Sequence, residues 1–247
     1  MASCPQDTCA IIAAGGLGLR FGDERGKQYV EACGRRVIDW TIDAFLQAPS
    51  IAHVVVVCPK GRCAETQGRR AASPRITYVE GGATRQDSCL AGIRHAPEAL
   101  RYVAIHDGAR PLIEPADIER VIAQVRSTPG LDGAICARPV TDTLKVVRYG
   151  LVESTPDRAL FWGAQTPQVF RREVVLAAHE QARSEGFVGT DDASLVERAG
   201  GHVACVEGAA TNIKMTTPED LAVIEAELRR RGVVNITETP REAPCFA

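Results

Sequence analysis

Short apolar, β-rich runs alternate with longer amphipathic segments along almost the whole chain. Strands are expected over 9–14, 53–58, 76–79, 102–105, 133–137 and 202–206, and helices near 36–48, 84–95, 115–127, 172–185, 191–199 and 218–231. Strands joined through helices of that length read as βαβ units, and so as a mostly parallel sheet covered on both faces. A Rossmann-like α/β fold is the expectation. The last helix carries its own punctuation: Thr217 as a cap, Pro218 at the first position, Asp220 at the capping-box distance and Gly232 after the end. Arg229, Arg230 and Arg231 complement the dipole of that helix rather than form a binding patch.

Two regions break the alternation. Residues 138–160 contain two short alternating runs around Tyr149-Gly150, a hairpin signal. It reads equally as an edge hairpin of the main sheet or as an arm reaching a partner subunit. Residues 233–247 carry two prolines and no periodicity, and are expected to be a loose tail after a single domain over 1–232.

Composition removes several functions. A net charge of -2 gives no global basic field for nucleic acid. The longest apolar run, 54–58, is strand-sized and far short of the ~18 residues of a membrane helix. The N-terminus has no basic segment followed by a long apolar one, so no signal peptide is expected. Nine cysteines are an odd number without any CxxC, several of them inside apolar strands; reduced thiols in a cytoplasmic protein follow.

Residues 13–28, AAGGLGLRFGDERGKQ, place five glycines and three cations directly after the first strand. Glycines allow close backbone approach, so that amides converge on an anion. The stretch of roughly twenty residues before the helix near Arg36 is long enough to suggest a functional loop. It fits neither familiar phosphate motif. A dinucleotide fingerprint needs a glycine where Phe21 stands, and an acid, not Cys58, ending the second strand. A P-loop needs a hydroxyl where Gln28 stands. What survives is a glycine-rich loop with Arg20 and Lys27 facing phosphates. The alternative is a solvated loop with Arg25 and Lys27 paired to Asp23 and Glu24.

Gly81-Gly82 follows the third strand and leads into a helix start at 83–88, whose free N–H groups suit a phosphate or a base carbonyl. Thr84 serves there equally as an ordinary cap. The fourth strand ends in HDGARP (106–111). A carboxylate at the carboxyl end of a central parallel strand lies where α/β proteins bind ligands, and Asp107 would suit a magnesium ion bridging phosphates. A structural Asp107–Arg110 pair is the alternative. His106 reads as packing or support, because a lone histidine is a weak metal signal.

Together these stretches resemble the 2-C-methyl-D-erythritol 4-phosphate cytidylyltransferase family of the non-mevalonate isoprenoid pathway. The similarity spans about residues 9–231. It runs through AAGGLGLRF, GKQY (26–29), GGATRQDSCLAG (81–92), HDGARP, TDTLK (141–145), TPQVF (166–170), GTDDASLVE (189–197) and NIKMTTPEDL (212–221). The resemblance implies a Rossmann-like sheet of the nucleotide-diphospho-sugar transferase type. It also implies a magnesium-dependent enzyme that joins CTP to methylerythritol phosphate with loss of pyrophosphate. By position, Arg20 and Lys27 would be catalytic. Ala14, Gly15, Gly16, Gly18, Gly82, Arg85 and Ser88 would bind the nucleotide. Asp107, Arg110, Thr143, Arg158, Thr166 and Lys214 would bind the sugar-alcohol phosphate, with Asp107 also holding the metal.

The family exchanges a β-arm between two subunits, which favours the arm reading of 138–160 and a homodimer, with Thr143 and Arg158 reaching across. Neither nucleic acid nor membrane is an expected partner. Ala13 stands where many members carry proline, Gly15 where alanine is usual, Ala83 at an often acidic position and Thr211 where aspartate is frequent. Two other readings remain: a related CDP-alcohol synthase such as a ribitol 5-phosphate cytidylyltransferase, and a non-catalytic nucleotide-binding protein on the same fold.

Overall fold

The computed structural model describes residues 5–15, 26–68 and 70–232. The main sheet takes strands β1 (Thr8–Ala13), β4 (Ile51–Cys58), β5 (Ile76–Glu80), β6 (Tyr102–Asp107), β7 (Gly133–Pro139), β10 (Trp162–Arg171) and β11 (Val203–Glu207). Two short ribbons stand apart: β2 (Glu31–Ala32) with β3 (Arg35–Arg36), and β8 (Val146–Arg148) with β9 (Leu151–Ser154). The helices are α1 (Val37–Gln47), α2 (Cys63–Gln67), α3 (Arg85–His95), α4 (Pro115–Ser127), α5 (Arg172–Ser184), α6 (Asp192–Arg198) and α7 (Pro218–Arg230).

The sheet order is β11-β7-β10-β6-β1-β4-β5. β10 alone runs antiparallel to its two neighbours, β6 and β7. All the other pairings are parallel. The expected α/β fold is therefore present, and each of the six expected strands and six expected helices appears within a few residues of its predicted bounds.

Because strand side chains alternate between faces, β1 feeds two cores at once. Ala10 and Ile12 pack with Ile38, Ile42 and Phe45 of α1 and Ile118 and Ile122 of α4. Cys9 and Ile11 pack with Cys89 and Ile93 of α3 and Val175 and Ala178 of α5. A third cluster seats Ile224 and Leu228 of α7 on Val37, Trp40, Ala109 and Leu112. Thr217 caps α7 in the expected box with Asp220.

Three features were not expected. β10 was missed because Gly163, Gln165 and Pro167 interrupt its apolar pattern, and its pairing with β7 shifts register between Ala164 and Gln168. The stretch after β1 is not structureless to its end, since a 3-10 turn at Lys27–Tyr29 and the β2–β3 ribbon occupy its second half. Helix α2 is a single short turn after β4.

The hairpin forms at Tyr149-Gly150, both with positive φ (50° and 79°), as a tight two-residue turn requires. It does not join the main sheet, so the edge-hairpin alternative falls. Its surface is apolar and open, with Tyr149 96%, Leu151 73% and Leu160 81% exposed.

Candidate active site

The parallel register puts four strand ends side by side. Ala13 pairs with Asp107 on one flank and Val57 on the other, and Cys58 pairs with Glu80. A cleft of about 850 Å³ opens above this row. Among the described residues its lining includes five cations, Lys27, Lys60, Arg62, Arg85 and Lys214, and one acid, Asp107. Such a surface favours a polyanion.

One wall of the cleft is built by two glycines folding back on α3. A Cβ on Gly82 would lie 2.3 Å from Asp87 Cβ, and one on Gly81 would lie 2.6 Å from Ser88 Oγ, so the approach needs glycine. Thr84 caps α3 in a box with Asp87; the capping alternative is thus present at the helix end that lines the cleft. Ser88 Oγ accepts from the Gly82 amide at 3.2 Å and donates to the Thr84 carbonyl at 2.8 Å. Gly15 lies opposite, where an alanine Cβ would meet Ser88 Oγ at 3.3 Å, a tight but workable contact.

The 3-10 turn carrying Lys27 is tied down on both sides. Gln28, 3% exposed, donates Nε2 to the Ala14 carbonyl at 2.7 Å, and the Tyr29 hydroxyl pairs with Thr66 Oγ1 at 2.8 Å. Gln28, which rules out a P-loop, closes the base of the glycine-rich segment instead. Gly16, Gly18 and Arg20, together with Asp23, Glu24 and Arg25, lie outside the described residues.

Asp107, at the end of β6, is the centre of the charge network. Lys214 Nζ lies 2.8 Å from its Oδ2, Arg110 Nε 3.5 Å from the same oxygen and Arg85 Nε 3.5 Å from Oδ1. Burial would raise this carboxyl, but Lys214 and Arg85, with Arg110, overcome it and hold it well below the usual carboxylate range. Both readings of Asp107 are compatible with this arrangement. The Arg110 pair exists, and Asp107, whose Oδ1 has only the long Arg85 contact among the described residues, is a hard donor lining the cleft. Among the described residues no three metal-ligating side chains cluster. A cation at Asp107 would thus take its remaining ligands from phosphates, a common mode for magnesium on nucleotides. The site fits that ion.

Arg85 is held from behind. Its NH2 lies 2.8 Å from Asp192 Oδ2, and His179 Nε2 lies 3.1 Å from Asp192 Oδ1, with Asp192 and His179 at 1% and 0% exposure. Burial would lower the Arg85 guanidinium, yet Asp192 above all raises it. Asp192 is placed by the start of α6, where Asp191 caps the helix and buried Gln168 accepts from the Ala193 amide. Nothing in the run GTDDASLVE announces this role, because the pairing exists only once α5 and α6 pack on α3.

The structure brings together Ala14, Gly15, Lys27, Gly82, Arg85, Ser88, Asp107 and Lys214. Arg110 lies beneath them, its guanidinium on Asp107 and the Asn212 carbonyl (2.8 Å). Thr166 is 4% exposed, between His106 and the Asp107 amide. Thr143 and Arg158 are exposed at the arm and do not line the cleft of their own chain; Arg158 donates to the Thr141 carbonyl at 2.6 Å. Thr211 also stays out of the cleft, accepting from Arg231 at 3.1 Å. Lys60 and Arg62 line the cleft without having been singled out, for they follow β4 with no recognisable motif.

Residues 8–230 match a family model described as IspD: 2-C-methyl-D-erythritol 4-phosphate cytidylyltransferase. The chain is 43% identical to the 2-C-methyl-D-erythritol 4-phosphate cytidylyltransferase of Synechococcus sp. (strain CC9902), covering 90% of this chain and 97% of that protein. It is also 43% identical to the protein of that name in Syntrophotalea carbinolica, over 90% and 96% of the two chains. Among solved structures it superposes on 4-diphosphocytidyl-2C-methyl-D-erythritol synthase from Anaerococcus prevotii DSM 20548. There the TM-score is 0.79 and the identity 30%, with 90% of this chain and 96% of that one covered. The 2-C-methyl-D-erythritol 4-phosphate cytidylyltransferase from Thermus thermophilus gives a TM-score of 0.72 at 33% identity, over 90% and 98% of the chains.

Proposed function

The chain belongs to the 2-C-methyl-D-erythritol 4-phosphate cytidylyltransferase family, and from that membership we propose that it joins CTP to 2-C-methyl-D-erythritol 4-phosphate, forming 4-diphosphocytidyl-2-C-methyl-D-erythritol and pyrophosphate. The carrying observation is the Asp107–Lys214–Arg85 cluster in a cation-lined cleft beside the Gly82 turn.

A phosphate oxygen of the sugar alcohol attacks the α-phosphorus of CTP. A new P–O bond forms as the bond from the α-phosphorus to the bridging oxygen breaks, and the electron pair leaves on pyrophosphate. The nucleophile is already an anion, so the protein supplies alignment and charge neutralisation rather than a base. Lys27, with Arg20 from the glycine-rich segment, neutralises charge on the phosphates. Gly15, Gly82 and Ser88 bind the nucleotide, and Arg85 and Lys214 hold Asp107 ionised. Asp107 is the residue that would hold magnesium, which would supply further charge neutralisation on the phosphates.

The exposed apolar arm suits a second copy of this chain, bringing Thr143 and Arg158 to the partner's cleft. Arg158 fits a phosphate because its planar fork donates two hydrogen bonds at once. Residues 1–232 act as a single domain in this reading. The described cysteines are free thiols, several of them in the core, as suits a cytoplasmic protein.

The test is pyrophosphate release with CTP and magnesium, comparing methylerythritol phosphate with ribitol 5-phosphate. Release with the first at far higher kcat/KM is expected. Preference for ribitol 5-phosphate would assign a related CDP-alcohol synthase, and release with neither would overturn catalysis.

A further inference from the structure

The buried contacts behind Asp107 point to a different task for Thr166 from contacting substrate. His106 is fully buried, its ring against Phe45 at a centroid distance of 4.9 Å. Its Nε2 lies 3.3 Å from the Arg110 carbonyl oxygen, and its Nδ1 lies 3.0 Å from Thr166 Oγ1. Thr166 Oγ1 in turn accepts the Asp107 amide at 3.1 Å.

A carbonyl oxygen only accepts, so Nε2 must carry the proton. In a neutral imidazole Nδ1 is then an acceptor, and the Thr166 hydroxyl must donate to it. The opposite tautomer would set a bare Nε2 lone pair against the Arg110 carbonyl. The one hydroxyl proton of Thr166 is thereby committed to His106, while its oxygen already receives the Asp107 amide.

We propose that His106 and Thr166 are positioning residues that fix the backbone of Asp107 through a one-way chain of hydrogen bonds, and that Thr166 does not donate to the substrate phosphate. The chain runs from the Asp107 amide to Thr166 Oγ1, from the Thr166 hydroxyl to His106 Nδ1, and from His106 Nε2 to the Arg110 carbonyl. It takes over where the β10–β6 ladder ends at Gln168 opposite Ile105, next to Pro167, which has no amide hydrogen. Both ends of the turn that follows β6 are pinned through one imidazole.

The kinetic part of this inference rests on the activity proposed above; the tautomer is a property of the protein alone and is read without substrate. Long-range proton–nitrogen spectra of protein labelled in its five histidines, with His106 assigned by the loss of its signals in His106→Asn, should show a protonated Nε2 and a bare, hydrogen-bonded Nδ1. Thr166→Val should shift Nδ1 to the value of an imidazole without a donor, and Thr166→Ser should restore it. A protonated Nδ1 in the wild type would overturn the proposal even if the enzyme is fully active.

In the assay, Thr166→Val should lower kcat roughly tenfold, the worth of about one hydrogen bond. The KM for the sugar-alcohol phosphate should change little, and Thr166→Ser should recover most of the rate. A main effect on that KM, with kcat preserved, would return Thr166 to the substrate.

Discussion

His106 shows how burial can dominate the behaviour of one side chain. Its removal from water pushes its pKa down to about 3 from the ordinary 6.5. In the unfolded chain it protonates near the ordinary value, so on acidification the unfolded state binds the extra proton and the folded state does not. Stability must therefore fall as pH drops below about 6.5 and continue to fall towards about 3. His53, lowered by burial and by Arg75, acts in the same direction. Asp107 and Asp192 are held low when folded, and their contributions are lost only below the ordinary carboxylate range. Urea unfolding of the nucleotide-free protein should lose about 2 kcal/mol between about pH 7 and about pH 5, for a single histidine shifted this far. A flat profile over that interval would show that His106 is hydrated in solution. Asp107 itself was legible in the sequence because a carboxylate closing a central strand has one obvious place to face. Asp192, His179 and Asn212 were not, because each acts only through a neighbour distant in the chain.

Among the elements, α3 and the Gly81-Gly82 turn separate stability from binding. Thr84→Ala removes an exposed cap and should cost about 1 kcal/mol of unfolding free energy, with CTP affinity changed less than threefold or so. Gly82→Ala asks more, since its Cβ would fall 2.3 Å from Asp87 Cβ and force the first turn of α3 aside. CTP titrated calorimetrically should bind it on the order of tenfold more weakly. Equal affinity in the two variants would mean that the turn does not touch the nucleotide. Strands and helices with clean periodicity were readable from the residues, whereas β10 was hidden because its interruptions fall where its pairing changes. Pro167 and Gln165 break the apolar pattern where the strand changes from pairing with β7 alone to lying between β7 and β6.

At the scale of the whole molecule, the residues proposed to serve one reaction do not share one side of the chain. Lys27 lines the cleft, while Arg158 stands exposed by an apolar arm that lies apart from its own protomer's main sheet. If two copies exchange arms, a complete site takes Lys27 from one and Arg158 from the other. Mixing inactive Lys27→Ala with inactive Arg158→Ala, with subunits allowed to re-equilibrate, should then recover roughly a quarter of the wild-type sites, because half the dimers are mixed and each has one intact site. Activity no higher than the average of the two variants would show that each site is built within one chain.

β10 makes that arrangement mechanical. The strand starts at Trp162, 41% exposed at the base of the arm, and reaches the core at Val169 and Phe170, passing Thr166 beneath Asp107 on the way. One strand thus spans from the arm proposed to meet a second copy to the backbone of Asp107. Its joint is the register shift between Ala164 and Gln168. If two copies meet at the arm, any drift in how they grip each other would reach Asp107 through that joint, and changes to the gripping surface and changes at the cleft would then not be inherited independently.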